Sequence, residues 1–155
     1  VQMKYRPNQF LFNLFCLVWI ALNGCSTPSF FEKYAIKGEK VGVELHSSRS
    51  FPPSLSFESP KKTLLIAGER DGFSCFVEYY ELQNLAQNSA KPPSAEEWQN
   101  LSAGLFLKQR DFLLKQTVYY ETYVYFSEGP YALYGHFLGQ EPQEIRNLFP
   151  ALFKD

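Results

Sequence analysis

Hydrophobic positions in this chain recur mostly with period 2. Val41, Val43 and Leu45 alternate with Gly42 and Glu44, which predicts a short half-buried strand. Leu55 and Phe57 predict another before Pro60. Thr63 to Ala67 and Phe73 to Tyr80 are strand-like runs, and the Asp71-Gly72 pair between them predicts a hairpin turn. Leu82 to Pro93 is polar and ends on Pro92-Pro93, as a connection would. Ser94-Ala95-Glu96-Glu97 has capping-box spacing, and Ala95, Trp98, Leu101, Ser102 and Leu105 recur at helical intervals. A mid-chain helix with one buried face is therefore expected, weakened or ended near Gly104. Phe112 to Phe126 returns to β character, with Val118, Tyr120, Thr122, Val124 and Phe126 on one face. Ser127-Glu128-Gly129-Pro130 turns the chain into a second strand over Tyr131 to Leu138. Pro142 suits a helix start, and Ile145, Leu148, Phe149, Leu152 and Phe153 form an apolar stripe. Pro150 lies inside that stripe without an N–H to donate, so a kink or a break into two short pieces is expected. This order predicts an α+β fold, an antiparallel sheet with a mid-chain helix and a C-terminal helix packed on one face. A small β-rich sandwich with peripheral helices is the alternative.

The first 25 residues follow another pattern. Lys4 and Arg6 precede an apolar stretch from Phe10 to Leu22, 13 residues interrupted only by Asn13. A membrane-spanning helix needs ~20 apolar residues, so this stretch is too short to span. A basic start, a short apolar middle and a small residue at the end describe a secretory signal. Leu22-Asn23-Gly24-Cys25 resembles the lipobox of bacterial lipoproteins, with Leu at −3, Gly at −1 and Cys at +1, although Asn23 departs from the usual small residue at −2. The resemblance implies diacylglyceryl transfer to the Cys25 thiol, cleavage after residue 24 and often acylation of the new amine. Two or more acyl chains hold a protein stably on a bilayer, where one does so only marginally. Ser26 rather than Asp follows Cys25, which points to the outer membrane, facing the periplasm, in a cell with two membranes. The expected organisation is a signal peptide over 1–24, a lipidated N-terminus and short tether over 25–33, and one globular domain over 34–155.

Removing the first 24 residues leaves 131, the length of a single domain. It leaves 13 basic against 16 acidic side chains, a formal charge of −3 that argues against nucleic acid as a partner. Fifteen Phe and ten Tyr are spread along the chain, enough to build a core without disulfides. Cys16 leaves with the signal peptide and Cys25 carries lipid, so Cys75 has no intramolecular partner. Phe73, Cys75, Val77 and Tyr79 share one strand face, where an unpaired Cys acts as a small buried hydrophobe. An intermolecular disulfide and a nucleophile are the other roles open to it.

Candidate chemistry is sparse. The phosphate, dinucleotide, zinc-protease and serine-hydrolase motifs are absent. His46, His136 and Cys75 are too few and too scattered for a structural zinc site, so no metal or cofactor is predicted. His46-Ser47-Ser48 sets a base beside hydroxyls in a polar loop, and adjacency in sequence is not triad geometry. His136 alternates with Ala132, Tyr134 and Leu138 on the last strand, and a Cys75–His136 pair matches cysteine peptidases in residue type alone. The richest surface is a row of tyrosines. Tyr119, Tyr123 and Tyr125 share a face with Glu121, with Tyr131 or Tyr134 across the strand. That face is either covered by a helix or offers an amphipathic binding surface. Phe137-Leu138-Gly139 followed by Pro142 to Phe153 resembles the PsbP-like α+β sandwich, whose sheet runs into a C-terminal helix with spaced Phe residues. Three functions follow as expectations. The first is a lipid-anchored envelope protein working through protein contacts or as an accessory subunit. The second is a small-ligand or lipid-binding module with an aromatic cavity. The weakest is a hydrolase built on Cys75 or the His46 loop.

Overall fold

The computed structural model describes residues 29–55, 60–83, 92 and 97–154. Among them, seven strands form one antiparallel sheet in the order β1-β2-β3-β7-β6-β5-β4. They are β1 (His46–Ser48), β2 (Lys62–Arg70), β3 (Phe73–Glu81), β4 (Gln99–Ser102), β5 (Leu105–Leu114), β6 (Thr117–Glu128) and β7 (Tyr131–Gly139). Two meanders, β1–β3 and β4–β7, join where β3 pairs with β7 in mid-sheet. Among the described residues, helix is confined to single turns, α1 (Phe30–Lys33), α2 (Ile145–Leu148) and the 3-10 turns Gly38–Lys40 and Pro150–Phe153. The fold is therefore mostly sheet.

Alternation along the strands gives the sheet a closed face and an open one. The closed face carries Phe73, Cys75, Val77 and Tyr79 from β3, Leu133 and Phe137 from β7, Val124 and Phe126 from β6, and Leu105 from β5. Both ends of the domain lie over it. Phe30, Tyr34 and Val41 from one segment and Ile145, Leu148, Phe149 and Leu152 from the other join the same buried cluster, and Lys37 N–H donates to the Leu148 carbonyl at 2.9 Å. Phe30 stacks on Tyr131 at 5.0 Å, and Phe149 meets Phe137 edge-on at 6.2 Å. Val77, Leu133, Phe137 and Phe149 have no exposed surface. The buried Tyr79 hydroxyl donates to the Tyr34 carbonyl at 2.9 Å, so its polar end is satisfied. Gly135 lets β7 approach β6 closely, since a Cβ there would stand 2.7 Å from Val124 Cγ1.

The β2–β3 hairpin turns at Asp71-Gly72 and the β6–β7 hairpin at Gly129-Pro130, as expected. The C-terminal helix is broken into α2 and the turn starting at Pro150. Other expectations fail. The mid-chain helix is absent over Glu97 to Leu105, because Gln99–Ser102 is β4 and Leu105 starts β5, while Ser94–Glu96 lie outside the described residues. Trp98 precedes β4 as coil, Leu101 lies in β4 and Leu105 in β5, and edge pairing with β5 overrides helical propensity. A capping box does form, but at Ser29–Glu32, where Ser29 Oγ accepts from Glu32 N–H and Glu32 accepts from Ser29 N–H. Phe30 is buried there, so the packed unit includes residues before Tyr34. Val41 to Leu45 is turn and coil, and the edge strand is His46–Ser48 instead. The expected Leu55–Phe57 strand lies partly outside the described residues, and Leu55 itself is a buried residue in a bend. Phe112 to Phe126 is interrupted by a turn at Lys115-Gln116, whose positive φ values of 47° and 67° make the two-residue loop that joins β5 to β6. Residues 1–28, including Leu22 to Cys25, lie outside the described residues.

Candidate functional site

Strand register builds the open face as rows of side chains. One row runs His46, Ala67, Phe76, His136, Tyr123, Lys108 across β1, β2, β3, β7, β6 and β5. The row on one side is Glu78, Tyr134, Tyr125, Phe106, and on the other Ser74, Leu138, Glu121, Arg110. Cover decreases along these rows. At the Glu78 end, Leu55, Tyr80, Leu82, Tyr125 and Ala132 are buried, with Phe51, Trp98, Phe106 and Tyr134 packed around them. Glu78 is 2% exposed and accepts from Ser54 N–H and, at 2.7 Å, Ser54 Oγ–H. The Tyr80 hydroxyl also donates to it. That buried carboxylate clamps the 51–55 segment onto the sheet.

The centre is half-open. The His136 ring stacks on Tyr123 at 4.4 Å between centroids, 6° from parallel, and Phe76 meets its other side edge-on at 5.1 Å. His136 Nε2 lies 3.2 Å from Glu121 Oε1, while Arg110 Nε–H donates to Glu121 Oε2. Arg110 also donates to the Tyr123 hydroxyl at 3.4 Å. Trp98 packs edge-on against Tyr123 at 6.3 Å, and the Lys108 ammonium lies 5.6 Å from the same ring, paired with Glu97 at 3.2 Å. Tyr123 is thus the hub, with an imidazole on one side and two cations and an indole around it.

Electrostatics fix the protonation pattern. Burial opposes ionisation of Glu121, but hydrogen bonds from Arg110 and Tyr123 and the nearby positive charge outweigh it and hold the carboxyl below its ordinary range. Burial pushes His136 down, more than Glu121 pushes it up, so the imidazole stays neutral at pH 7. Burial and nearby negative charge raise Tyr134 to about 12, and burial also raises Tyr123 and Tyr125. The face therefore presents neutral phenols, a neutral imidazole, and an arginine already bound to its carboxylate.

The tyrosines singled out in sequence are divided by the pleat. Tyr119, Tyr123, Tyr125 and Tyr134 share the open face, with Tyr125 buried and the others half-buried. Tyr131 belongs to the closed face, under Phe30, because it pairs with Glu128 and not with an odd-numbered β6 residue. Among the described residues no helix covers the tyrosines, since the helical segments around Phe30 and Ile145–Leu152 pack on the opposite side. Cys75 also faces the closed side, 3% exposed, with burial raising its thiol pKa. A Cys75–His136 pair is therefore excluded by alternation. His46 is exposed on β1, three strands from His136, roughly 14 Å at the usual strand spacing. Ser74 lies diagonal to His136 without a hydrogen bond to it among the described residues. Arg110, Glu121, His136 and Trp98 join the tyrosines only once the register is known.

No family model matches the chain, and no significantly similar curated protein or solved structure is found. Among the described residues no cluster of His, Cys, Asp and Glu could hold a metal ion, and no helix is long and apolar enough to cross a membrane. A groove of about 250 Å³ beside Phe30, Phe31, Arg49, Lys62 and Glu81 is open and charged rather than an enclosed apolar chamber.

Proposed function

We propose that this chain is a lipid-anchored cell-envelope protein that works through protein contacts made by its open face, as a binding or accessory component. The anchor is the acylated Cys25, in the outer membrane facing the periplasm where a cell has two membranes. The observation that carries the contact reading is the assembly of Trp98, Tyr119, Tyr123, Tyr134 and Arg110 on one half-open face. Tyr, Trp and Arg dominate the energetics of protein interfaces, because each joins a large apolar body to hydrogen-bonding groups. Their rotamers are held beforehand by stacking and by the Arg110–Glu121 pair, which lowers the entropy lost on binding. Only three residues lie between Cys25 and Ser29, four steps along the chain with a reach of at most ~14 Å. The end of the sheet near Ser29 would lie against the bilayer, and the open face would stand beside it.

Two measurements test this reading. Mass spectrometry of the membrane-extracted protein is expected to find an acylated N-terminal Cys25, and an unmodified chain starting at Val1 would contradict the anchor. Tyr123→Ala combined with Arg110→Ala is expected to weaken recovery of a co-purifying envelope protein at least tenfold. Glu39→Ala, on the layer over the closed face, should leave recovery unchanged. Equal recovery with all variants would contradict the contact role.

A further inference from the structure

The β5–β6 hairpin outruns its neighbours. β7 reaches only Tyr120 on one side, and β4 reaches only Leu107 on the other. Residues 108–119 therefore form a two-stranded arm whose β5 edge is unpaired from Lys108 to Leu114 among the described residues. Of the five large apolar side chains exposed among the described residues, the arm carries four, Leu113 at 69%, Leu114 at 51%, Val118 at 42% and Phe112 at 37%. Register puts Leu113 beside Val118 on the closed-face side and Phe112 beside Tyr119 on the open-face side, the latter rings stacked at 5.9 Å. Native edges are normally blunted by charge, proline or a bulge. Lys108, Arg110 and Asp111 do this for the inner half of the arm, but Phe112-Leu113-Leu114 is bare.

We infer that this edge pairs with a second copy of itself. The two-residue loop at Lys115-Gln116 closes on the Leu114–Thr117 pair, so Leu114 and Phe112 point their backbone groups at β6. Leu113 and Asp111 then point theirs outward. An antiparallel copy centred on Leu113 exchanges both backbone bonds between the two Leu113 residues. It sets Phe112 opposite Leu114 twice and Asp111 opposite Lys115 twice. The run Asp111-Phe112-Leu113-Leu114-Lys115 is thus self-complementary, with a three-residue apolar centre and opposite charges at its ends. Asp111 and Lys115 have no ion pair within the chain among the described residues. Registers centred on Asp111 or Arg110 would oppose like charges, so charge selects this one over them. On the closed-face side the pairing makes a continuous strip Val118–Leu113–Leu113–Val118. β4 begins at Gln99, opposite Leu107, and the incoming tip reaches only Arg110, so the copy's strand and β4 take different stretches of the β5 edge. Three strand pairs, flanked at each end by Asp111 facing the loop residue Lys115, make a small interface, which suits a reversible dimer rather than an obligate one.

The test is oxidative cross-linking of the full chain over a range of protein concentrations. Leu113→Cys places two thiols at a two-fold pair with Cα atoms ~5.5 Å apart, within disulfide reach, whereas Leu114→Cys places them apart. Leu113→Cys is expected to give a concentration-dependent disulfide dimer, and Leu114→Cys several-fold less. Adding Asp111→Lys or Lys115→Asp to Leu113→Cys should cut the yield roughly tenfold, since each turns two attractions into repulsions. Adding both should restore it. No dimer, equal yields from Leu113→Cys and Leu114→Cys, or no rescue by the double reversal would each overturn the inference. Both charged residues are exposed on the arm, so the variants keep the fold, and matching circular dichroism checks this.

Discussion

The two faces of the sheet are made of the same strands and aromatic residue types, yet they have different jobs. On the closed face, alternate residues are buried under the segments Phe30–Val41 and Ile145–Leu152, and its one phenol at the centre, Tyr79, is satisfied by a backbone carbonyl. On the open face, cover runs out between Tyr125 and Tyr119, and the polar groups satisfy one another instead. A face that only stabilised the fold would not need an arginine, a glutamate, a histidine and a tyrosine arranged in a surface network. The closed face supplies stability, and the open face holds a fixed pattern of aromatic and hydrogen-bonding groups.

The sharpest break in this comparison is a large-to-small change on the closed face. Phe137→Ala, at a site with no exposed surface and against Phe149, is expected to cost ~3–5 kcal/mol in denaturant unfolding. A cost below about 1 kcal/mol would mean that the face is not close-packed. Next is the boundary where the open face becomes covered. Glu78→Ala strips the acceptor from Ser54 and from the buried Tyr80 hydroxyl, and about 2 kcal/mol of destabilisation is expected. Proteolysis within 51–55 should accelerate with it. The smallest effect belongs to the open centre and depends on pH. His136 has its pKa lowered from 6.5 in the folded chain, so below that pH the unfolded chain takes up the proton more readily. His136 therefore contributes stability at pH 7 that is lost as pH falls below 6.5 toward its lowered folded-state value. His136→Gln should flatten that part of the Tm-against-pH curve. The lowered carboxyl of Glu121 acts in the same direction, but only below its ordinary value of 4.5. An unchanged slope in His136→Gln would contradict the burial of the imidazole.

The sequence disclosed the parts of the fold that depend on local pattern. Asp71-Gly72 and Gly129-Pro130 are turns whose residues suit positive φ or fix the chain direction, and both hairpins form there. Pro150 breaks the terminal helix because it has no N–H to donate. What was hidden depends on partners distant in sequence. Lys115-Gln116 has no glycine or asparagine to announce a tight turn, so a strand–turn–strand unit looks like one long strand. The Ser94–Glu97 spacing imitates a helix start, but β4 is held by β5 instead. On the candidate face, alternation alone placed Tyr119, Tyr123 and Tyr125 together. The choice between Tyr131 and Tyr134 needed the β6–β7 register. Arg110 and Trp98 are invisible as members, because no pattern marks the strand around Arg110 and the spacing around Trp98 imitates a helix.

The central claim is that the open face, not the closed one, meets a partner. Site-specific photo-cross-linking in intact cell envelopes tests it most directly, with a benzophenone side chain replacing Tyr119, Tyr123 or, as the control, Glu39. The account predicts the same discrete adduct from Tyr119 and Tyr123, lost when Arg110→Ala is added, and none from Glu39. Adducts from Glu39 alone, or equal adducts from all three positions, would contradict it.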